Sequence, residues 1–385
     1  SPALVRPDTA VGIVTYTGDG NSPRKIGNFN FQPDLVVYKE RSVARDWQWY
    51  DSVRGVGPAK NLSSNTTYDQ TSNDDTSYGY TSAFNTDGFT VTNGSAGSGN
   101  NDIYTNDSGQ TYAAWCWKAG GNAGTFNVDG AGHATAAAAG LSGFSGSGNT
   151  FEGASVNTKS GFSILRWDTD GGSAPASTVP HGLPYAPDFI IAKSKIETAT
   201  AGWYTYHSVG YPTKWLKLNS SDALNPSAGQ IWNSVGDTTF TTESGSGTNN
   251  DLAVVAYCWC NMPGLQKFGV YYGTGNANGA FIELGFKPAI IWTKELGNSG
   301  NWFFFDSTRS KINPTANTVW INSSLKENDT SINTDTSYNN MDILSNGFKL
   351  RSSYTGTNRS GGEYIYCAWG ESPLHNLYGG ETNAR

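Results

Sequence analysis

Charge is scarce in this chain, and so are paired metal ligands, helix-building stretches and long apolar runs. Only 15% of positions are charged, 25 basic against 32 acidic. That balance leaves no basic surface for a phosphate backbone, so no nucleic acid is expected as a partner. No segment reaches the ~20 apolar residues of a spanning helix, and no membrane insertion is expected. The His residues at 133, 181, 207 and 375 are scattered, which argues against a zinc site and any metal centre. No complete calcium-loop pattern occurs. Walker, dinucleotide-glycine and nucleophile-elbow motifs are missing, and the expectation is no cofactor. Acidic residues sit mostly in Ser-, Thr-, Gly- and Asn-rich loops, as at Asp74-Asp75, Asp222 and Asp335. Turn formation explains them without the paired carboxylates of a glycosidase, so no enzyme is expected.

What is present is glycine and aromatic rings: Gly 47, Tyr 20, Phe 17 and Trp 13. These replace the Leu, Ala, Glu and Lys of long helices. Short apolar runs bounded by Gly, Pro, Asn and Asp read as strands, among them Val11–Tyr16, Asp34–Lys39, Asp188–Lys193, Leu252–Trp259 and Tyr364–Trp369. Several are apolar on both alternating faces, as in Trp115 and Trp117 against Ala114 and Cys116. Such strands are expected to be covered by a facing sheet and by a neighbouring module or subunit. Asp87-Gly88-Phe89 and Asn346-Gly347-Phe348 read as turns needing a positive φ.

The chain says roughly the same thing three times. One copy runs Tyr16-Thr17-Gly18-Asp19-Gly20, Pro33 into a strand ending at Lys39, Trp47, Asp51, Arg54, and a closing strand to Trp117. Another runs Tyr272-Gly273-Thr274-Gly275, Pro288, Trp302, Asp306, Arg309 and Trp369. A more eroded middle copy keeps Pro187, Trp203, His207 and Trp259, with His for Asp and Gly210 where Arg would fall. Spacing matches from Gly20 to Pro33 and Gly275 to Pro288, and onward to Arg54 and Arg309. The predicted fold is all-β: tandem antiparallel β-sandwich modules, jelly-roll or lectin-like, related by internal repeat. Module 1 spans 1–119, module 2 161–264 and module 3 265–370. Residues 120–160, rich in Gly, Ala and Ser, read as an extended connector, and 371–385 as a C-terminal tail. Pro33, Pro187, Pro288, Trp117, Trp259 and Trp369 are the expected repeat core.

Cys116, Cys258 and Cys367 superpose by repeat register at equivalent sites in separate modules, and Cys258 and Cys260 alternate along one strand. Neither arrangement suits a disulfide, so reduced buried thiols and synthesis in a reducing compartment are expected. Ser1–Ala10 does not read as a signal peptide. The chain opens on Ser, not Met, so a processing step is expected before it. Sequons at Asn61, Asn65, Asn93, Asn106, Asn219, Asn322, Asn328 and Asn358 raise the alternative of a secreted glycoprotein, although so Asn-rich a chain generates such triplets by chance.

The candidate ligand-binding residues are Trp47, Asp51, Arg54, Trp203, His207, Trp302, Asp306 and Arg309. An indole could stack on a pyranose while the ions bind its hydroxyls. Equally, a buried Trp followed by an ion pair tying a loop to the sheet gives the same spacing, and repetition favours that reading.

Those repeated motifs resemble the uncharacterised repeat domain of tail-fibre and other virion structural proteins of tailed bacteriophages, often marine ones. Tyr16–Gly20, Phe31–Lys39, Trp47–Arg54 and Tyr112–Gly121 carry the likeness. The third copy carries it again, ending in Glu371-Ser372-Pro373 and Asn383-Ala384-Arg385. The resemblance implies a virion protein made in the bacterial host cytoplasm and displayed on tail or capsid, with no catalytic residues. The expected role is a tail fibre or receptor-binding part that grips host-surface glycan or protein. The alternative is a capsid decoration or tail scaffold that cements neighbours through apolar faces. Expected partners are other virion proteins and further copies of itself, a homo-oligomer and, as fibres are usually built, a trimer. Loops Asn61–Tyr80, Gly94–Ser108, Asp222–Asn250 and Leu325–Asn340 are long, polar and suited to adaptable contacts.

Overall fold

The computed structural model describes residues 6–97, 99–169, 176–194, 196, 201–226, 229–243, 253–331, 340–372, 374–375 and 381–382. Asp335, Leu252, Pro373, the Asn383–Arg385 ending and parts of the loops 222–250 and 325–340 lie outside them.

The same seven-strand pattern occurs three times, as an inner and an outer sheet. In the first unit the inner sheet pairs Val11–Thr17, Thr111–Trp117, Leu35–Glu40 and Gln48–Asp51 in that order; the outer sheet pairs Arg24–Gly27, Gly88–Thr92 and Tyr80–Asn85. The third unit repeats it with Gln266–Tyr272, Glu363–Gly370, Pro288–Glu295 and Phe303–Asp306 inside. Its outer sheet is Phe281–Glu283, Gly347–Leu350 and Met341–Leu344. In the second unit the inner strands are Phe162–Asp168, Ala253–Trp259, Phe189–Ser194 and Trp203–His207, and the outer ones Thr178–Pro180, Thr239–Thr242 and Trp232–Val235. Pairing within these sheets is antiparallel, and each buried proline lies at or just before its strand, where no ladder N–H is yet needed.

Residues 120–160, expected to be a connector, instead add three strands to one edge of the second unit's inner sheet, which with Tyr211–Lys217 on the other edge has eight. Thr150–Asn157 pairs antiparallel with Phe162–Asp168, and Phe126–Val128 joins it in parallel. Ala154, Val156, Phe126 and Leu141 then enter that unit's core, so few apolar residues suffice when a neighbouring sheet edge supplies the pairing. The hairpin turns at Gly161, whose φ of +67° places it in left-handed space with Cys260 and Met262 where a Cβ would sit. Gly88 and Gly347 do not have the positive φ expected of them. Their requirement is steric: a Cβ would lie 2.2 Å from the Ile26 carbonyl oxygen and 2.0 Å from that of Ile282, across the ladder.

Alternation along the inner strands separates two cores. Ala114 and Cys116 face the first unit's outer sheet with Val36, Tyr38 and Phe89, while Ala113, Trp115 and Trp117 face away from it. Val254, Ala256 and Cys258 divide from Val255, Tyr257 and Trp259 in the same way. Those second faces do not await another subunit; all three inner sheets turn them toward one another. At the centre Trp117, Trp259 and Trp369 meet edge to face, with centroids 6.2, 5.5 and 5.7 Å apart and ring planes crossing at 69°, 69° and 72°. Equal angles among equivalent residues mark an approximate threefold axis, and edge-on contact suits the ring quadrupoles.

This packing corrects the cysteine register. Counted back from the axial tryptophans, Cys116 matches Cys258 but Cys367 matches Trp115 and Tyr257, and it faces the common core. All four thiols are free and buried, and burial pushes Cys260 up to about 12.

Sharing one core, the three units should unfold together. Trp259→Ala is expected to cost about 3–5 kcal/mol and to lower a single urea transition seen alike by fluorescence and circular dichroism. Separate transitions for the units would contradict a common core.

Candidate functional site

The repeated Trp, Asp and Arg residues all lie in the seams between units. Each Trp is fully buried and donates its indole N–H to the next unit around the axis. Trp47 Nε1 reaches the carbonyls of Trp320 and Ser323 at 3.0 and 3.1 Å, Trp203 Nε1 that of Ser63 at 3.0 Å, and Trp302 Nε1 that of Lys217 at 3.1 Å. Asn65, Asn219 and Asn322 fix the same residues by accepting their backbone N–H at 3.0, 2.9 and 2.9 Å. First donates to third, third to second, second to first: a closed ring.

The carboxylates draw donors across two of the seams in the same sense. Asp51 Oδ1 accepts the N–H groups of Val53 and Arg54, fixing the turn, and Oδ2 accepts from Arg54 Nε at 2.6 Å and from the Tyr257 hydroxyl of the second unit at 2.8 Å. Asp306 does the same with Thr308 and Arg309, and its Oδ2 accepts the Trp115 indole N–H of the first unit at 3.0 Å. Arg54 and Arg309 spend further donors on the Trp49 and Phe304 carbonyls. Both ion pairs are fully desolvated and richly hydrogen-bonded, as buried charges must be.

The third seam uses other chemistry in the same geometry. His207 Nδ1 takes the place of the Asp Oδ1, accepting the N–H groups of Val209 and Gly210 at 3.3 and 3.1 Å. Its Nε2 therefore carries the hydrogen, toward the Tyr366 carbonyl at 3.4 Å. Gly210 replaces Arg because a Cβ there would lie 2.3 Å from Ile365 Cγ2. Where Tyr257 and Trp115 donate, Cys367 stands, with no carboxylate to receive a proton.

Sequence reasoning missed a repeated lysine. Lys39, Lys193 and Lys294, each six residues beyond a strand-leading proline, are fully buried. Lys39 Nζ bonds the Arg45 carbonyl and, across the seam, that of Ser324 at 2.9 Å; Lys193 Nζ reaches Thr67 of the first unit at 3.3 Å. Burial pulls Lys39 down to about 7 and Lys294 to about 8. The signal was an ammonium closing an otherwise apolar strand in every copy.

A sugar platform needs an accessible indole face, and none of these eight residues offers one. Their geometry fastens units. Among the described residues no cluster of His, Cys, Asp or Glu suits a metal ion. Asn61, Asn106 and Asn358 are fully buried, and each side chain is spent on hydrogen bonds, Asn106 and Asn358 accepting the Asp19 and Thr274 N–H groups. Folded protein cannot carry glycans there.

An open concavity lies elsewhere, at the outer rim of the seam between first and third units. Tyr78 and Tyr104 stand edge to face over Arg45 and Asp46, with Ser324 of the third unit opposite.

Residues 7–154 and 146–373 each match the family described as Domain of unknown function (DUF7483), and the chain belongs to that family. No curated protein and no solved structure matches it.

Two outcomes test the seams. Asp51→Asn, which leaves a buried guanidinium without its counter-charge, is expected to cost about 3–5 kcal/mol in urea unfolding, and Asp306→Asn less, because Arg309 keeps Glu327 at 2.8 Å. His207 differs, because burial holds its pKa at about 4, against 6.5 when free. Between those values the unfolded chain binds more protons than the folded one, so stability falls as pH drops from 6.5 to about 4 and levels below. This contribution totals about 3 kcal/mol. His207→Asn should flatten that part of the pH–stability curve; an unchanged slope would acquit the histidine.

Proposed function

We propose that this protein is a bacteriophage virion component, a tail-fibre or receptor-binding part whose polar loops attach to host-surface glycan or protein. The observation that carries this reading is how the surface is divided. The chain inters nine of its 13 tryptophans in the core around one axis and leaves polar residues and tyrosines outside, as at Ser95, Asn100, Tyr68 and Tyr185. Such a skin suits adaptable polar contact, not adhesive apolar packing. The resemblance of the repeats to virion repeat domains supports the same assignment.

Cementing neighbours through apolar strand faces loses its basis, since those faces are spent within one chain. The trimer expected from fibre architecture loses one argument for the same reason: three sandwiches already close a common core. The Asn61–Tyr80 loop serves the seam over its first half, where Asn61, Leu62, Ser63 and Ser64 are buried. In its second half Thr71, Ser72, Asp74 and Thr76 are exposed while Asn73 and Asp75 are buried, and Ser95, Gly97, Gly99 and Asn100 are exposed as well.

Immunogold labelling of intact particles, with competition of adsorption by soluble protein, tests the proposal. Label on the tail and fewer adsorbed particles are expected. Label on the head, with no binding to host-surface material, would defeat it.

A further inference from the structure

The hollow at the rim of the first and third units encloses about 290 Å³, at the small end of ligand sites. We propose that it binds one neutral hexopyranose unit of a surface glycan, an assignment that rests on the attachment reading above.

The shape comes from two loops. Tyr78 ends the one-turn helix Asp75–Tyr78, and Tyr104 is tied to it by donating its backbone N–H to the Tyr78 carbonyl at 3.1 Å. Their rings, both half-buried, stand 5.5 Å apart at 74°. One ring can take the apolar face of a pyranose while the other walls its edge.

Polar groups converge on the same space. Asp46 is oriented by Asn65 Nδ2, which donates to Oδ1 at 2.6 Å. Its Oδ2 and both tyrosine hydroxyls make no hydrogen bond with the described residues. An acceptor and two donor–acceptor hydroxyls match adjacent sugar hydroxyls, which both donate and accept. Arg45 adds donors, held by the buried Glu40 carboxylate 3.7 Å behind it. Charge decides against an acidic sugar. Glu40 offsets Arg45, and Asp46 and Asp74 both act on the Tyr104 hydroxyl, which burial foremost pushes up.

The hollow is not something the repeat needs in order to fold. Counting back from the equivalent Asn106 and Asn358, Tyr104 corresponds to Gly356 in the third unit. There the corner is filled: Phe303 and Tyr354 meet edge to face at 5.8 Å, and a Cβ on Gly356 would lie 2.5 Å from the Tyr354 ring. In the first unit Gln48 and Asp102 hold the register positions of those two rings, and Tyr104, where Gly356 would stand, lines the open hollow with Tyr78. A fold requirement would have given both units the same corner.

An array of immobilised neutral hexose oligosaccharides and matched hexuronate oligosaccharides tests this, probed with wild type, Tyr104→Ala, Asp46→Asn and, as control, Tyr185→Ala at an exposed tyrosine elsewhere. Wild type and the control should label neutral hexose spots, with at least tenfold weaker binding by Tyr104→Ala and Asp46→Asn and unchanged melting temperatures. Should Tyr104→Ala melt early, Asp46→Asn and Tyr78→Phe, which alter only polar atoms, carry the test. Equal binding by all variants would move the sugar elsewhere and leave attachment standing. Preference for hexuronates would overturn the charge argument and the assignment with it. No labelled spot from protein that still coats host cells would end the hollow alone; no labelled spot and no coated cells would end both readings.

Discussion

Three indole rings meeting on one axis are the contact on which the rest of this molecule depends. Trp117, Trp259 and Trp369 bring the inner sheets together so that each strand face left over by its own sandwich is covered by the other two. Apolar burial drives that closure but carries no direction. Direction comes from the seams, where the indole N–H groups and the donors to Asp51 and Asp306 all run round the axis the same way. A unit displaced from its place would strand several buried polar groups at once, each at a cost comparable to a lost hydrogen bond or more.

Much of this was legible from the residues. Prolines before strands, paired Trp and Asp-Arg spacings and doubly apolar closing strands locate the sandwiches and their repeat. What covers the second faces was not legible, because a period of two says that both sides are buried and nothing about by whom. Cys367 shows a related limit. A cysteine beside a tryptophan-rich strand end invites superposition on Cys116, yet a shift of one residue carries a side chain to the opposite face. Residues 120–160 look too poor in apolar groups for structure; they succeed by borrowing a sheet edge. Of the candidate site, sequence located the residues of the seams and weighed an exposed sugar platform against a buried tie, repetition favouring the tie. The hollow at Tyr78 and Tyr104 stayed hidden, since its parts come from two loops and a third unit.

The second seam partner of the middle unit shows how such a system tolerates change. Replacing Asp by His keeps the turn capped through Nδ1, and the loss of Arg is matched by Ile365 filling its volume. Had the carboxylate remained without its guanidinium, an uncompensated buried charge would have resulted. The substitutions make sense only together, and their joint price is a seam that protons can loosen.

Covalent fusion of the three sandwiches has a consequence for how they can differ. In an assembly of identical subunits, any altered side chain is imposed at every symmetry-related place, and a concavity comes in triplicate or not at all. Here a corner can be plugged by Phe303 and Tyr354 in one copy and stay open between Tyr78, Tyr104 and Asp46 in another. Asymmetry of that kind lets a ring built on near-identical joints carry a single, one-sided recognition feature.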